Sequence, residues 1–352
     1  MTEQKMKLYE DFWEHRPLKR PVLNLTAPKD PKMKYDVPAS PEQRWLDEDF
    51  IVKNTRKLWE NTTRFAEGVP NLFTNLGPGC LAACVGGNYG LSDHTVWFDR
   101  DPIIEDWENL PKIELNYNSE MWQHIERLQN RFIKEGLPFS ITDLGGIMDI
   151  VASLRGTEDL LYDLYDYPDE IKALSKRITA MWLEAFDRQV ETVGKHVPYY
   201  SNWMNIPSLK PWYPLQCDFS YMISPDHFEE FVLEDLITQA KHMPRSIYHL
   251  DGVGELPHLD MILDIPEITG IQWVAGDGEA PLWDEKWFPV YKKIQDKGKN
   301  LVLNKKAISE RDVEGAERLF KTLDPTGVYM YAQFTCEDKA KEMLENIEKW
   351  CN

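Results

Sequence analysis

Cysteine, basic charge and long apolar runs are all scarce in this chain, and each shortage excludes something. The cysteines number five, Cys80, Cys84, Cys217, Cys336 and Cys351, scattered over 352 residues. An odd, scattered set argues against a disulfide framework and points to a reduced, cytoplasmic setting. Lys and Arg number 40 against 59 Asp and Glu, a formal net charge of −19. A phosphate backbone would be repelled, so nucleic acid is not expected as a partner. No run of about 20 apolar residues occurs, so no membrane span is expected. Met1-Thr-Glu-Gln-Lys-Met-Lys7 lacks an apolar run and a cleavage pattern, so no signal peptide is expected. A Gly-rich phosphate loop after an early strand is also missing. Gly77-Pro-Gly79 and Gly86-Gly87 do not have its spacing, which counts against an open doubly wound sheet.

What is present is a chain able to build a large core, with 42% hydrophobic residues. Its acidic balance suits a soluble enzyme and docking to a basic patch on another protein. Helical patterns fall at 3–15, 49–66, 122–134, 157–194, after Ser224-Pro225, near 256–264, at 285–297, 311–322 and 337–350. Strand patterns fall at 20–25, 71–76, 138–145, 198–203, 215–219, 247–250, 270–274, 300–304 and 327–333. That is one more candidate than the eight places of a barrel, and 198–203 with 215–219 reads as one interrupted strand. The fold expected is α/β: a (β/α)8 TIM barrel in one domain over 1–352, with an N-terminal helical extension and loop insertions. Thr335 with Asp338 resembles a capping pair at the start of the last helix.

Barrel topology places chemistry at the carboxyl ends of strands. The stretch Ser246-Ile-Tyr-His-Leu-Asp-Gly-Val-Gly254 is the focus, because His249 and Asp251 lie two apart and point to one side of a strand. The other strand-end candidates are Asn75, Asp143, Asn202, Cys217, Asp218, Trp273, Asn304, Lys305, Gln333 and Cys336. His, Cys and Asp are the ordinary ligands of zinc. Each also has a bland role: His249 as a hydrogen-bonded core residue, Cys217 and Cys336 as small apolar fillers, Asp143 as the organiser of the Gly145-Gly146 turn. Cys80 and Cys84 read as packing, and His227 and His242 as surface residues of one helix. Trp203, Trp212, Tyr213 and Trp273 sit near strand ends or in the loop between them. They read either as packing or as an aromatic wall around a ring-shaped or methylated ligand.

Four runs carry a resemblance: Thr142-Asp-Leu-Gly-Gly-Ile-Met-Asp-Ile150, Leu154-Arg-Gly-Thr-Glu-Asp-Leu160, Cys217-Asp-Phe-Ser220 with Ile223-Ser-Pro225, and His249-Leu-Asp-Gly252. Together they resemble the uroporphyrinogen decarboxylase superfamily, and within it the corrinoid-dependent methyltransferases. The resemblance spans most of 5–350 and implies an (α/β)8 barrel. Several of those methyltransferases hold zinc with His-x-Cys on one strand and a Cys on the last. Here His249 and Cys336 match, while Asp251 replaces the middle Cys. The resemblance therefore implies either zinc on His249, Asp251 and Cys336 with a harder ligand set, or a lost metal with His249 and Asp251 as an acid–base pair. The Arg-rich N-terminal motif with which the uroporphyrinogen-decarboxylating enzyme grips its substrate carboxylates has no match here, which counts against uroporphyrinogen as substrate. A corrinoid-binding Asp-x-His-x-x-Gly motif is absent too, so the cobalamin would ride on a partner corrinoid protein.

The activity expected is methyl transfer from a small methylated substrate, by preference an aromatic methyl ether, to the Co(I) of that partner, in the manner of an O-demethylase. His249, Asp251 and Asp143 would be catalytic; Asn202, Trp203, Asp218, Trp273, Asn304 and Gln333 would meet the substrate. Alternatives are a methylated amine or thiol donor, transfer from methylcorrinoid to a thiol or tetrahydrofolate, a decarboxylase or lyase on the same fold, and a non-catalytic binding protein. A homodimer is compatible with the chain.

Overall fold

The computed structural model describes residues 2–305 and 312–351. Arg311, the first residue of the helix expected over 311–322, lies outside the described residues; the helix runs from Asp312 to Thr322. Nine strands are described: β1 (Val22–Pro28), β2 (Thr62–Ala66), β3 (Gly90–Leu91), β4 (Val96–Trp97), β5 (Trp212–Leu215), β6 (Arg245–Asp251), β7 (Gly270–Val274), β8 (Asn300–Lys305) and β9 (Val328–Gln333). β3 and β4 form a small ribbon, and the other seven form one sheet in the order β2-β1-β9-β8-β7-β6-β5. β2 runs antiparallel to β1; the remaining sheet pairings are parallel.

This is an α/β, barrel-like arrangement, but the ring expected from the sequence is not closed. Segments 71–76, 138–145 and 198–203 were expected as full strands. Leu72 and Phe139 share one parallel bridge, and Tyr200 bridges back to Ser208 within its own loop. Ile141 N–H reaches the carbonyl of Ser201 at 3.2 Å. Pro70, Pro138 and Pro198, beside or within these segments, have no N–H to continue a ladder. The strand expected at 215–219 begins earlier, at Trp212, and gives way to a 3-10 turn at Asp218–Met222. β2 was expected as the tail of a helix over 49–66. That helix stops at Glu60 with Asn61 as its C-cap, and Thr62-Thr63, β-branched, start the strand instead.

Helix ends follow local chemistry. Ser224 Oγ accepts the N–H of His227 at 3.2 Å, and Pro225 follows it at the first helical position. The last helix, Glu337–Trp350, begins on Cys336 with no side-chain cap bond, so the expected capping role of Thr335 is not realised. The long helix Pro168–His196 buries Ile171, Leu174, Ile178, Trp182, Phe186 and Val193, the stripe legible in the sequence. Among the described residues no helix is long and apolar enough to cross a membrane.

The two faces of the sheet differ. Leu23, Leu25, Tyr248, Leu250, Ile271, Leu301, Leu303 and Met330 belong to the large core shared with the helices. The alternate positions Val22, Trp212, Ile247, Val302 and Tyr329 form a smaller core with Tyr9, Phe12 and Trp13 of the first helix, Glu3–Trp13. That helix closes the amino ends of the strands. Arg245, at the start of β6, is 2% exposed and pairs with Glu10 at 2.7 Å and Glu14 at 2.6 Å. Towards the carboxyl ends the same face turns polar. Val22 is succeeded by Asn24, Ile247 by His249 and Asp251, Val302 by Asn304, and Tyr329 by Tyr331 and Gln333. The period of two turns this change along each strand into a polar floor at the free end of the sheet.

Candidate active site

His249 belongs to that floor, on the last strand but one of the sheet, with 13% of its side chain exposed. In the register of β6 on β7 it stands opposite Gln272, and its Nδ1 lies 2.6 Å from Gln272 Oε1. Its Nε2 faces Asp251 Oδ2 at 3.6 Å, an ion-pair distance longer than a hydrogen bond. The indole of Trp203 meets the imidazole edge-to-face at 4.8 Å. After Asp251 the chain turns at Gly252, whose φ is +92°. A Cβ there would meet the Tyr221 ring at 2.8 Å, so the turn and the packed tyrosine both require glycine.

Asp143 arrives from a different part of the chain. Its Oδ1 accepts the Gly145 N–H at 2.9 Å and the Tyr213 hydroxyl at 3.1 Å. Cys80 N–H donates to the Asp143 carbonyl at 3.0 Å. The two loops can meet because Gly79 faces Gly145, where a Cβ would lie 2.7 Å from the Gly79 Cα. The turn-organising role of Asp143 is thus real, and its carboxylate also faces the charge of His249. Asp218 opens the turn after β5, and Asp149 holds it there. Asp149 Oδ2 accepts the Asp218 N–H at 3.1 Å, and Oδ1 accepts the Phe219 N–H at 2.8 Å.

The acids and the imidazole titrate as one group of neighbours. Burial opposes charge on His249, but Asp251 and Asp218 outweigh it and hold the imidazole above its ordinary pKa. Burial raises Asp143 against the hydrogen bonds from Gly145 and Tyr213. Enclosure among neighbouring groups and the charges of Asp251 and Asp143 raise Asp218, whose side chain still reaches solvent, against the pull of His249. Burial and the adjacent Asp218 push Asp149 up to about 7. Glu255, fully buried, is pushed up to about 10 by burial and by Asp218 and Asp149. It is a neutral acid at ordinary pH.

Two cavities share Asp218 as a wall. One, of about 250 Å³, is lined by Trp97, Phe98, Phe219 and Met222 together with Asp149 and Gln216. The other, of about 390 Å³, is lined by Asp218, Asp251, Asp277, Glu279, Tyr221 and Gly252. His249 lines neither cavity; Asp251 and Asp218 connect it to both.

The expected residues are brought together unequally. His249, Asp251, Asp143, Trp203 and Asp218 converge. Asn304 and Gln333 share the polar face; Asn304 Oδ1 is buried with no partner among the described residues, and Gln333 Nε2 donates to the Tyr331 hydroxyl at 2.6 Å. Asn202 is buried, and its Oδ1 closes a turn on Met204 N–H at 3.0 Å. Trp273 is on the wrong face: it packs against Trp287 at 5.0 Å within the large core, and its neighbour Gln272 takes the inward place. Cys217 is buried in that core, where burial pushes its thiol up. Cys80 and Cys84 are buried packing residues. Gln272, Asp149 and Glu255 were missed. The strand parity that selects His249 also selects Gln272 once the register is known, whereas the two acids lie in helical turns that carry no linear signal.

Cys336 follows β9, at the same end of the sheet as His249 but three strand places from β6. Among the described residues no three His, Cys, Asp or Glu side chains are grouped so as to hold a metal ion. His249, Asp251 and Cys336 are thus not brought into one such group.

No family model and no curated protein matches the chain. Among solved structures, a methyltransferase from Methanosarcina mazei is similar over 99% of both chains, with a TM-score of 0.62 and 12% identity. At that identity the likeness is one of fold.

Proposed function

We propose that the protein is an enzyme that moves a methyl group from a small methylated donor, by preference an aromatic methyl ether, to the Co(I) corrinoid of a partner protein in the cytoplasm. One observation carries this reading: a largely buried imidazole of raised pKa, whose Nε2 faces Asp251 at 3.6 Å rather than a tight partner, stands at the carboxyl end of the strands. The fold shared with a methyltransferase supports it, as do the four motif runs.

When bound, the partner's corrinoid would supply the electron pair that takes the methyl group. This chain has to manage the other end of the breaking bond. When the methyl–oxygen bond breaks, the pair stays on the phenolic oxygen, whose conjugate acid has a pKa of about 10. Protonated His249 gives that oxygen its Nε2 proton as the charge develops. Asp251 and Asp218 hold the imidazolium before transfer and favour its re-protonation afterwards. The aromatic cavity of Trp97, Phe98 and Phe219, which reaches the His249 group through Asp218, suits the ring of such a donor if its ether oxygen is directed past Asp218 to Nε2.

A second reading is favoured by the other cavity. Asp218, Asp251, Asp277 and Glu279 line it, Glu279 being paired with Lys286 at 2.6 Å. Such a wall attracts a cation, so a methylated amine is the alternative donor. Methyl transfer to free Co(I) cobalamin, scanned over aryl methyl ethers, methylamines and methylthiols, decides between them. Turnover confined to ethers supports the first reading, turnover confined to amines the second, and no turnover with any donor contradicts both.

A further inference from the structure

We infer that Gln272 is a positioning residue that fixes which nitrogen of His249 exchanges its proton. The inference rests on His249 being the proton donor proposed above, and its geometry is independent of the donor's identity. Gln272 is 1% exposed and sits on the strand adjacent to His249, in register with it. Its Oε1, an atom that only accepts, lies 2.6 Å from Nδ1. The hydrogen bond therefore keeps a proton on Nδ1 in both charge states of the ring. In the neutral ring the lone pair must then be on Nε2.

Nε2 is the nitrogen with room to work. Its neighbour Asp251 stays at 3.6 Å, and Asp251 itself lines the larger cavity. A donor oxygen can take the place beside Nε2 without first breaking a tight bond. The same bond orients the ring, together with the edge-to-face contact to Trp203 at 4.8 Å.

The choice of an amide has a reason. Asp143, Asp218 and Asp251 already act on the ring. A fourth carboxylate at position 272 would bind the imidazolium more tightly and make it a poorer acid. A glutamine offers the same acceptor at the same reach without that charge.

The test uses the full chain with ¹⁵N-labelled histidine, compared with Gln272→Met, which keeps the side-chain length without the acceptor, and Gln272→Glu, which keeps the acceptor. Long-range ¹H–¹⁵N spectra at a pH where His249 is neutral should show Nδ1–H in the wild type and in Gln272→Glu, and a shift towards Nε2–H in Gln272→Met. In the transfer assay Gln272→Met should lose at least about tenfold in kcat, in line with a misdirected acid, with KM little changed. Gln272→Glu should recover part of that loss. An Nε2–H wild type overturns the inference, as does a Gln272→Met variant with wild-type tautomer or wild-type kcat. The spectra need no substrate, so a wrong tautomer is distinguishable from a wrong choice of methyl donor.

Discussion

Asp149 Oδ1 accepts the backbone N–H of Phe219 at 2.8 Å, and through that bond a helix on one side of the site fixes the turn that carries Asp218 on the other. The second oxygen takes the Asp218 N–H itself at 3.1 Å. Asp149→Ala removes both bonds. We expect a loss of roughly 1–2 kcal/mol in urea unfolding, the ordinary cost of unpairing such groups. KM should rise more than kcat falls, because Asp218, the wall common to both cavities, loses its anchor. Unchanged KM and stability would mean that the turn holds itself.

Glu255 gives a pH prediction. It is fully buried, Oε1 has no protein partner, and its pKa is pushed up to about 10 from an ordinary 4.5 by burial and by Asp218 and Asp149. Above pH 4.5 the unfolded chain loses this proton while the folded chain keeps it. Stability is therefore full below that pH and declines as pH rises towards 10. Glu255→Gln keeps the shape without the proton. Its melting temperature should match the wild type near pH 4.5 and exceed it increasingly towards pH 9. A constant difference across that range would contradict the assignment.

The geometry around Cys336 makes a prediction about metal. Because among the described residues no three donors group around His249, prolonged chelation should leave the transfer rate intact, and Cys336→Ser should be active. Loss of activity on chelation, restored by zinc and abolished again in Cys336→Ser, would return the metal to the site.

Trp273 tests the face assignment. It packs against Trp287 in the large core, away from His249. Trp273→Leu should cost about 1–3 kcal/mol of stability through lost packing and leave KM unchanged. A raised KM with unchanged stability would place the indole in the substrate site.

Much of this site was legible beforehand, for identifiable reasons. His249 and Asp251 share a face because a strand has a period of two, and that needs no partner strand to be known. Trp273 was chosen because it is large, aromatic and close to a strand end. Its face depends on where β7 sits in register, and one residue reverses it. The polar floor was legible as Asn304 and Gln333, whereas Gln272 became visible only opposite His249. The barrel expectation succeeded for β6 to β9, where apolar runs alternate with helices of ordinary length. It failed at closure, because Pro138 and its neighbours give extended segments that lack the donors for a continuous ladder. Asp149 and Glu255 stayed hidden because burial, which gives them their character, is a property of the packed molecule.

The decisive measurement is the rate of methyl transfer to Co(I) cobalamin by His249→Ala, with circular dichroism confirming an intact fold. Loss of the general acid should lower kcat by about 10²-fold or more with an aryl methyl ether as donor. Wild-type turnover in that variant would remove His249 from the chemistry, and with it the function proposed for the whole site.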